Sequence, residues 1–307
     1  MKSITVLLAY AAVFFGSLIA SRENAAGSTA AADTSTAVAS SRTVRLNGAS
    51  QRVGNGTVRA YIIIDEKDAN VPVEVGVALS EEAMEGLPKP KPVDHSAPMV
   101  AGEHMDMHNW LLDLPSRNPT PYKFVQFGWN PKGHEPPGVW DTPHFDFHFY
   151  TVPVSVRNSI VPSDPQFAEK AAKYPAQELR APFYLDAAAA AKTTPAAMTV
   201  PEMGMHWIDV RTPEVQAMAG KPENYKPFTK TFIYGSWNGE FIFAEPMITR
   251  AYLLAKRETA DAAMRDETIA VPSARFGEAG FYPEAYRIRW NAETKEYLIS
   301  LTRFAAK

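Results

Sequence analysis

Residues 143–150, PHFDFHFY, alternate aromatic and polar side chains without a break. In an extended strand successive side chains point to opposite faces, so Phe145, Phe147 and Phe149 form one wall while His144, Asp146 and His148 share the other. Three buried rings hold such a strand rigidly, and rigid placement is what a metal site needs from the residues that carry its ligands. Same-face neighbours stand about 6.6–7 Å apart, close enough to share one ion, whereas positions four apart are about 13 Å apart, which a flat strand without a bulge cannot bridge. The expectation is therefore that this strand gives a single ion two ligands, with Asp146 orienting a histidine from outside the coordination shell. A polar face opposite a phenylalanine wall needs a counter-charge or water. The plainer alternative is a pair of histidines that are only hydrogen-bonded.

Further ligands have to come from elsewhere, and none can be a thiolate, because the chain has no cysteine. His, Asp, Glu and Met remain, which favours zinc, copper, manganese or iron. His134 and Glu135 sit in GWNPKGHEPPGVWD, a Gly/Pro-rich loop just before the strand that can fold over its end. His206 lies in the apolar, strand-like MGMHWIDV, and Glu245 closes FIFAE directly before Pro246. The expected ligand set is His144, His148, His206, Glu245 and His134, with Glu135 or Asp146 as general base. His206 as a hydrogen-bonded core histidine and Glu245 as a solvated strand end are the alternatives. A second His-x-Asp-x-His spacing occurs in GEHMDMHNW at His104, Asp106 and His108, interleaved with Met105 and Met107. Thioether with imidazole suits Cu(I), and a polar loop is the competing interpretation.

The hydropathy pattern predicts a mainly β, antiparallel architecture, a β-sandwich or open barrel with several peripheral helices. VRAYIIID (58–65) and PVEVGVAL (72–79) are β-branched runs flanking a turn. Asn238–Gly239 between two apolar runs is a strong hairpin signal, and 285–304 is a further alternating pair turning through NAETK. Ser80–Glu81–Glu82 starts a short helical turn. Helices are expected at 165–174 and 180–192, and 246–265 reads as either strand or helix. The expected tally is about nine strands and three or four helices. Lys2 ahead of an apolar run from Ile4 to Ala20 predicts a signal peptide over 1–22 and hence a periplasmic or secreted protein. Residues 23–42 read as a disordered linker, leaving 43–307 as a single domain. A net charge of −3 over 307 residues argues against nucleic acid. No nucleophile elbow, P-loop or HExxH motif is present in the sequence.

The motifs VGVALSEEAMEGLP (ending at Pro88), WNPKGHEPPGVWDTPHFDFHFY (129–150), MGMHWID (203–209) and FIYGSWNGEFIFAEPMIT (232–249) together resemble a family of exported, mainly bacterial proteins. That family is typified by a Thermus protein under sigma-E/anti-sigma control, and its domain is of unknown function. The resemblance spans most of residues 55–255. It implies a secreted, β-rich, metal-binding domain with zinc as the expected ion, and it carries over no reaction. From the residues themselves, metal-assisted hydrolysis is the most economical chemistry. A cupin-type iron or manganese enzyme using oxygen is a variant. A non-catalytic metal-binding or envelope-stress protein, able to form homo-oligomers, is the rival from another class.

Overall fold

The computed structural model describes residues 42–90 and 106–307. The expected signal peptide, nearly all of the expected linker, and His104 with Met105 lie outside the described residues. In chain order the strands are β1 (Thr43–Asn47), β2 (Gln51–Val53), β3 (Gly56–Asp65), β4 (Pro72–Ser80), β5 (His108–Asp113), β6 (Phe124–Asn130) and β7 (His144–Tyr150). There follow β8 (Tyr184–Asp186), β9 (Thr199–Val200), β10 (Gly204–Asp209), β11 (Lys230–Trp237), β12 (Glu240–Thr249), β13 (Asp266–Ala270), β14 (Phe281–Asn291) and β15 (Glu296–Ala306). They form two antiparallel sheets. The first has the order β1-β3-β4-β15-β14-β13, with β2 on β3; the second has the order β5-β6-β7-β12-β11-β10-β8, with β9 on β10.

The two sheets face each other across one hydrophobic cluster. Val58, Ile62, Val77, Ile288 and Ile299 enter it from the first sheet, and Phe127, Phe145, Phe147, Phe149, Phe232 and Ile248 from the second. Each fully buried Phe or Ile contributes about 1.5–3 kcal/mol relative to exposure, so the phenylalanine wall of β7 is fixed against the opposite sheet. The mainly β, antiparallel expectation holds, with short helices between the strands.

Local chemistry explains the elements. Asn238 and Gly239 both take left-handed φ, +49° and +93°, as a tight two-residue turn between twisted strands requires. The expected turn near Ser80 is a short 3-10 helix, Glu81–Met84, but the Ser80 hydroxyl does not cap it. That oxygen instead accepts from Thr57 N at 3.2 Å.

Two expectations need correction, and one open reading is resolved. The strands number fifteen among the described residues, because short edge strands such as β2, β8 and β9 carry too few residues to show alternation. Residues 180–192 are not one helix: β8 occupies Tyr184–Asp186, and Asp186 accepts from Ala189 N to start a helix only at Ala187–Ala191. The ambiguous 246–265 is both, with β12 running to Thr249 and the Thr249 hydroxyl capping a helix over Arg250–Glu258. Among the described residues no helix is long and apolar enough to cross a membrane.

Candidate metal centre

With the phenylalanines of β7 turned inward, His144, Asp146 and His148 point to the outer face of the second sheet, and all three are buried. β12 pairs with β7 so that Ala244 meets Phe149 and Met247 meets Asp146. This register sets Glu245 opposite His148. His206 comes from β10, two strands away, where it pairs with Gly235 of β11. A side chain at Gly235 would collide with the Phe243 ring. The glycine therefore lets Phe243 lie flat over β11, where it packs edge-on against both His148 (centroids 4.8 Å apart) and His206 (5.4 Å).

The six side chains converge as two separate groups. His134, His144 and Asp146 form one triad, and His148, His206 and Glu245 the other; within each, one potential ligand atom per residue lies within 4.8 Å of the others. His144 Nε2 is 3.2 Å from Asp146 Oδ1, and His134 Nε2 is 3.8 Å from Asp146 Oδ2. His148 Nε2 and His206 Nε2 stand 3.3 and 3.8 Å from the two oxygens of Glu245. Atoms bound to one tetrahedral zinc at about 2.0–2.1 Å are separated by roughly 3.3 Å, so each group could hold an ion with little rearrangement.

The hydrogen bonds fix which nitrogens face inward. His144 Nδ1 contacts Thr142 O at 2.7 Å and His134 Nδ1 contacts Glu135 O at 2.8 Å. A carbonyl can only accept, so both Nδ1 atoms donate, which leaves Nε2 of a neutral ring carrying a lone pair. That lone pair of His144 points at a carboxylate oxygen. His144 Nε2, Asp146 Oδ1, both ring nitrogens of His148 and Glu245 Oε2 are all buried without a hydrogen-bond partner. Each of the two groups could hold a metal ion among these unpartnered atoms.

Electrostatics favour the ligating forms of the rings. Burial, reinforced by the His206 ring, depresses His148 to about 3, with Asp146 opposing. Burial likewise lowers His206 to about 4, with His134 adding to it. Burial and the neighbouring His144 lower His134. Burial pushes the Asp146 carboxyl up, but His144, His134 and His148 outweigh it and hold the group below the usual carboxylate range. Glu245 goes the other way, raised well above its ordinary value by burial and by Asp146.

The predicted residues therefore divide. His134 and His144 stand with Asp146, whereas His148, His206 and Glu245 stand together. Asp146, expected to orient a histidine or act as a base, lies among the potential ligands. Glu135 is exposed and belongs to neither triad, although it lines the adjoining cavity. The copper alternative has a different setting: Met107 is buried in a hydrophobic cluster, and His108 Nε2 lies 3.0 Å from Lys89 O. Sequence reasoning missed Asn130. It is fully buried at the end of β6, pairs in register with His144, and donates from Nδ2 to Asp146 Oδ2 at 2.7 Å. A second amide, after Gln126, closing the mostly apolar strand FVQFGWN was its only signal.

Beside the triads lies a cavity of about 440 Å³. Its floor is His134, Asp146, His148, His206 and Glu245, and its walls include Val139, Trp140, Ile208, Val215, Ile233 and Met247.

Comparison with known proteins gives one match. The TTHB210-like family, described as hypothetical protein TTHB210, matches residues 68–129. This stretch takes in all of β4 and β5 and nearly all of β6, and it ends before either triad's first ligand. No curated protein and no solved structure matches the chain.

Proposed function

We propose that the outer face of the second sheet is a two-ion centre for divalent metal, with zinc the preferred ion, and that it supports hydrolysis. The observation that carries this reading is the pair of buried acceptor triads. In each, two imidazole nitrogens stand 3.2–3.8 Å from the oxygens of one carboxylate. Three protein ligands with a position left over, next to a cavity, is the pattern of catalytic zinc; structural zinc is closed by four. A divalent ion held there lowers the pKa of a coordinated water and polarises a carbonyl or phosphoryl oxygen.

The chain's own residues supply the rest. Carbonyl hydrogen bonds fix the tautomers of His134 and His144. Asn130 holds Asp146 in place. Glu135, at the cavity's exposed rim, is the carboxylate placed to accept a proton. Two histidines and one carboxylate also form the ligand set of non-haem Fe(II) enzymes, so iron is the second reading. The lysine-led apolar run at the N-terminus supports export, which cell fractionation tests.

Elemental analysis of the purified full chain tests the proposal. Two zinc ions per chain are expected, falling to one in His148→Ala and in His206→Ala, with chelation abolishing hydrolysis of model esters. Undiminished metal in both variants contradicts the site. Iron in place of zinc contradicts the hydrolytic assignment.

A further inference from the structure

The cavity next to the triads has two chemically distinct parts. Its floor carries the ligand residues, and nearly everything else facing it is apolar: Val139, Ile208, Val215, Met218, Ile233 and Met247 are representative. A volume of about 440 Å³ falls within the range of roughly 300–1,000 Å³ that encloses most of a small organic molecule. Water alone gains little from such a wall, because apolar lining has no partners to offer it.

Charge sets the other requirement. Each triad joins two imidazoles, which bind a metal through a neutral ring nitrogen, to one carboxylate. A divalent ion in each triad therefore leaves a surplus of one positive charge per site. The lining offers one further acid, Glu135, and it is exposed at the rim. A buried cationic floor under an apolar wall is satisfied by an anion that carries its own hydrophobic body.

We infer that this cavity binds a small amphiphile, an oxyanion head on an aliphatic body, with the head at the triads and the body along the Val139–Ile208–Ile233 wall. The inference rests on the two-ion reading above. Carboxylate and phosphate monoester heads share the required chemistry. The thioethers of Met218 and Met247 suit an aliphatic chain, because methionine adapts its shape to a flexible partner.

Titration calorimetry on the zinc-loaded full chain tests it, with sodium octanoate, octyl phosphate, acetate and 1-octanol as probes. Octanoate or octyl phosphate should bind, and which is tighter identifies the head. Acetate should be weaker by about a hundredfold or more, since six methylenes are lost. Octanol should be at least about tenfold weaker, as it lacks the charge. Ala190→Phe fills the wall from the Ala187–Ala191 helix, and Met218→Asp places a negative charge on a half-exposed wall position. Both should lose octanoate affinity at least about tenfold while zinc content stays unchanged. Acetate as tight as octanoate, octanol as tight as octanoate, or variants with undiminished affinity would each overturn the inference and leave the metal centre standing. A wild-type chain that holds no metal overturns both.

Discussion

Both sheets of the sandwich bury carboxylates on their outer faces, and they compensate them in opposite ways. On the first sheet, Glu74 accepts from Arg287 at 2.8 Å on one oxygen, and from Arg289 and the Tyr61 hydroxyl at 3.1 Å on the other. Glu296 is held between Arg45, at 3.1 Å, and Arg59. Every oxygen there has a cationic donor. On the second sheet, Asp146 and Glu245 are just as buried, yet apart from the Asn130 amide on Asp146 the groups that face them are imidazoles. The carboxylates of the first face are neutralised within the fold, although Arg45 Nε and Nη2 and Arg289 Nε are buried there without partners. The triads of the second have no guanidinium partner, and on the two-ion reading proposed above their charges are arranged for cations the chain does not itself supply.

The largest effect that would sharpen this contrast is on metal retention. Removing one of three ligands, as in His144→Ala or His148→Ala, should weaken the affected triad on the order of a hundredfold to a thousandfold. The other triad should remain filled, as competition with a chromogenic chelator would show. Next come two carboxamide substitutions of opposite sign. Glu74→Gln should destabilise the metal-free protein by about 1–3 kcal/mol, because Arg287 and Arg289 lose their counter-charge. Glu245→Gln should stabilise the metal-free protein by about 1 kcal/mol, since it removes a buried uncompensated acid, while emptying the second triad. Urea melts of both variants decide this, and equal destabilisation would erase the distinction between the faces.

A smaller effect is expected at Asn130. Asn130→Ala should lower affinity at the first triad about 10- to 100-fold without altering the second, because Asp146 loses the donor that orients it. The smallest is a pH dependence. His148 and His206 have folded values of about 3 and 4 against an ordinary 6.5. Between those limits the unfolded chain binds protons that the native state refuses, so stability of the metal-free protein falls as pH drops from about 6.5 toward 4. Glu245, raised in the fold, contributes the opposite slope above the ordinary carboxylate range. Thermal melts across pH 4–8 should show the decline in wild type, and a shallower one in His148→Leu.

The sequence displayed one half of this centre clearly. Strict alternation in 143–150 announced both the phenylalanine wall and the polar face, because a period of two leaves a strand no other arrangement. His206 and Glu245 were legible as polar residues in apolar strands. The division into two triads was not, since it depends on where the 131–143 loop returns His134, and loop paths leave no periodic trace. Strand register was equally hidden: only the β7–β12 pairing shows that Glu245 belongs to His148. Gly235 and Phe243 looked like ordinary strand residues, because their importance lies in one ring occupying the space the other residue lacks.

Anomalous diffraction from a zinc-loaded crystal, recorded above and below the zinc edge, tests the central claim most directly. Two peaks per chain are predicted, one about 2.0–2.2 Å from His134 Nε2, His144 Nε2 and an Asp146 oxygen, and one at the same range from His148, His206 and Glu245. A single peak shared by His144 and His148, or no peak on this face, would contradict it.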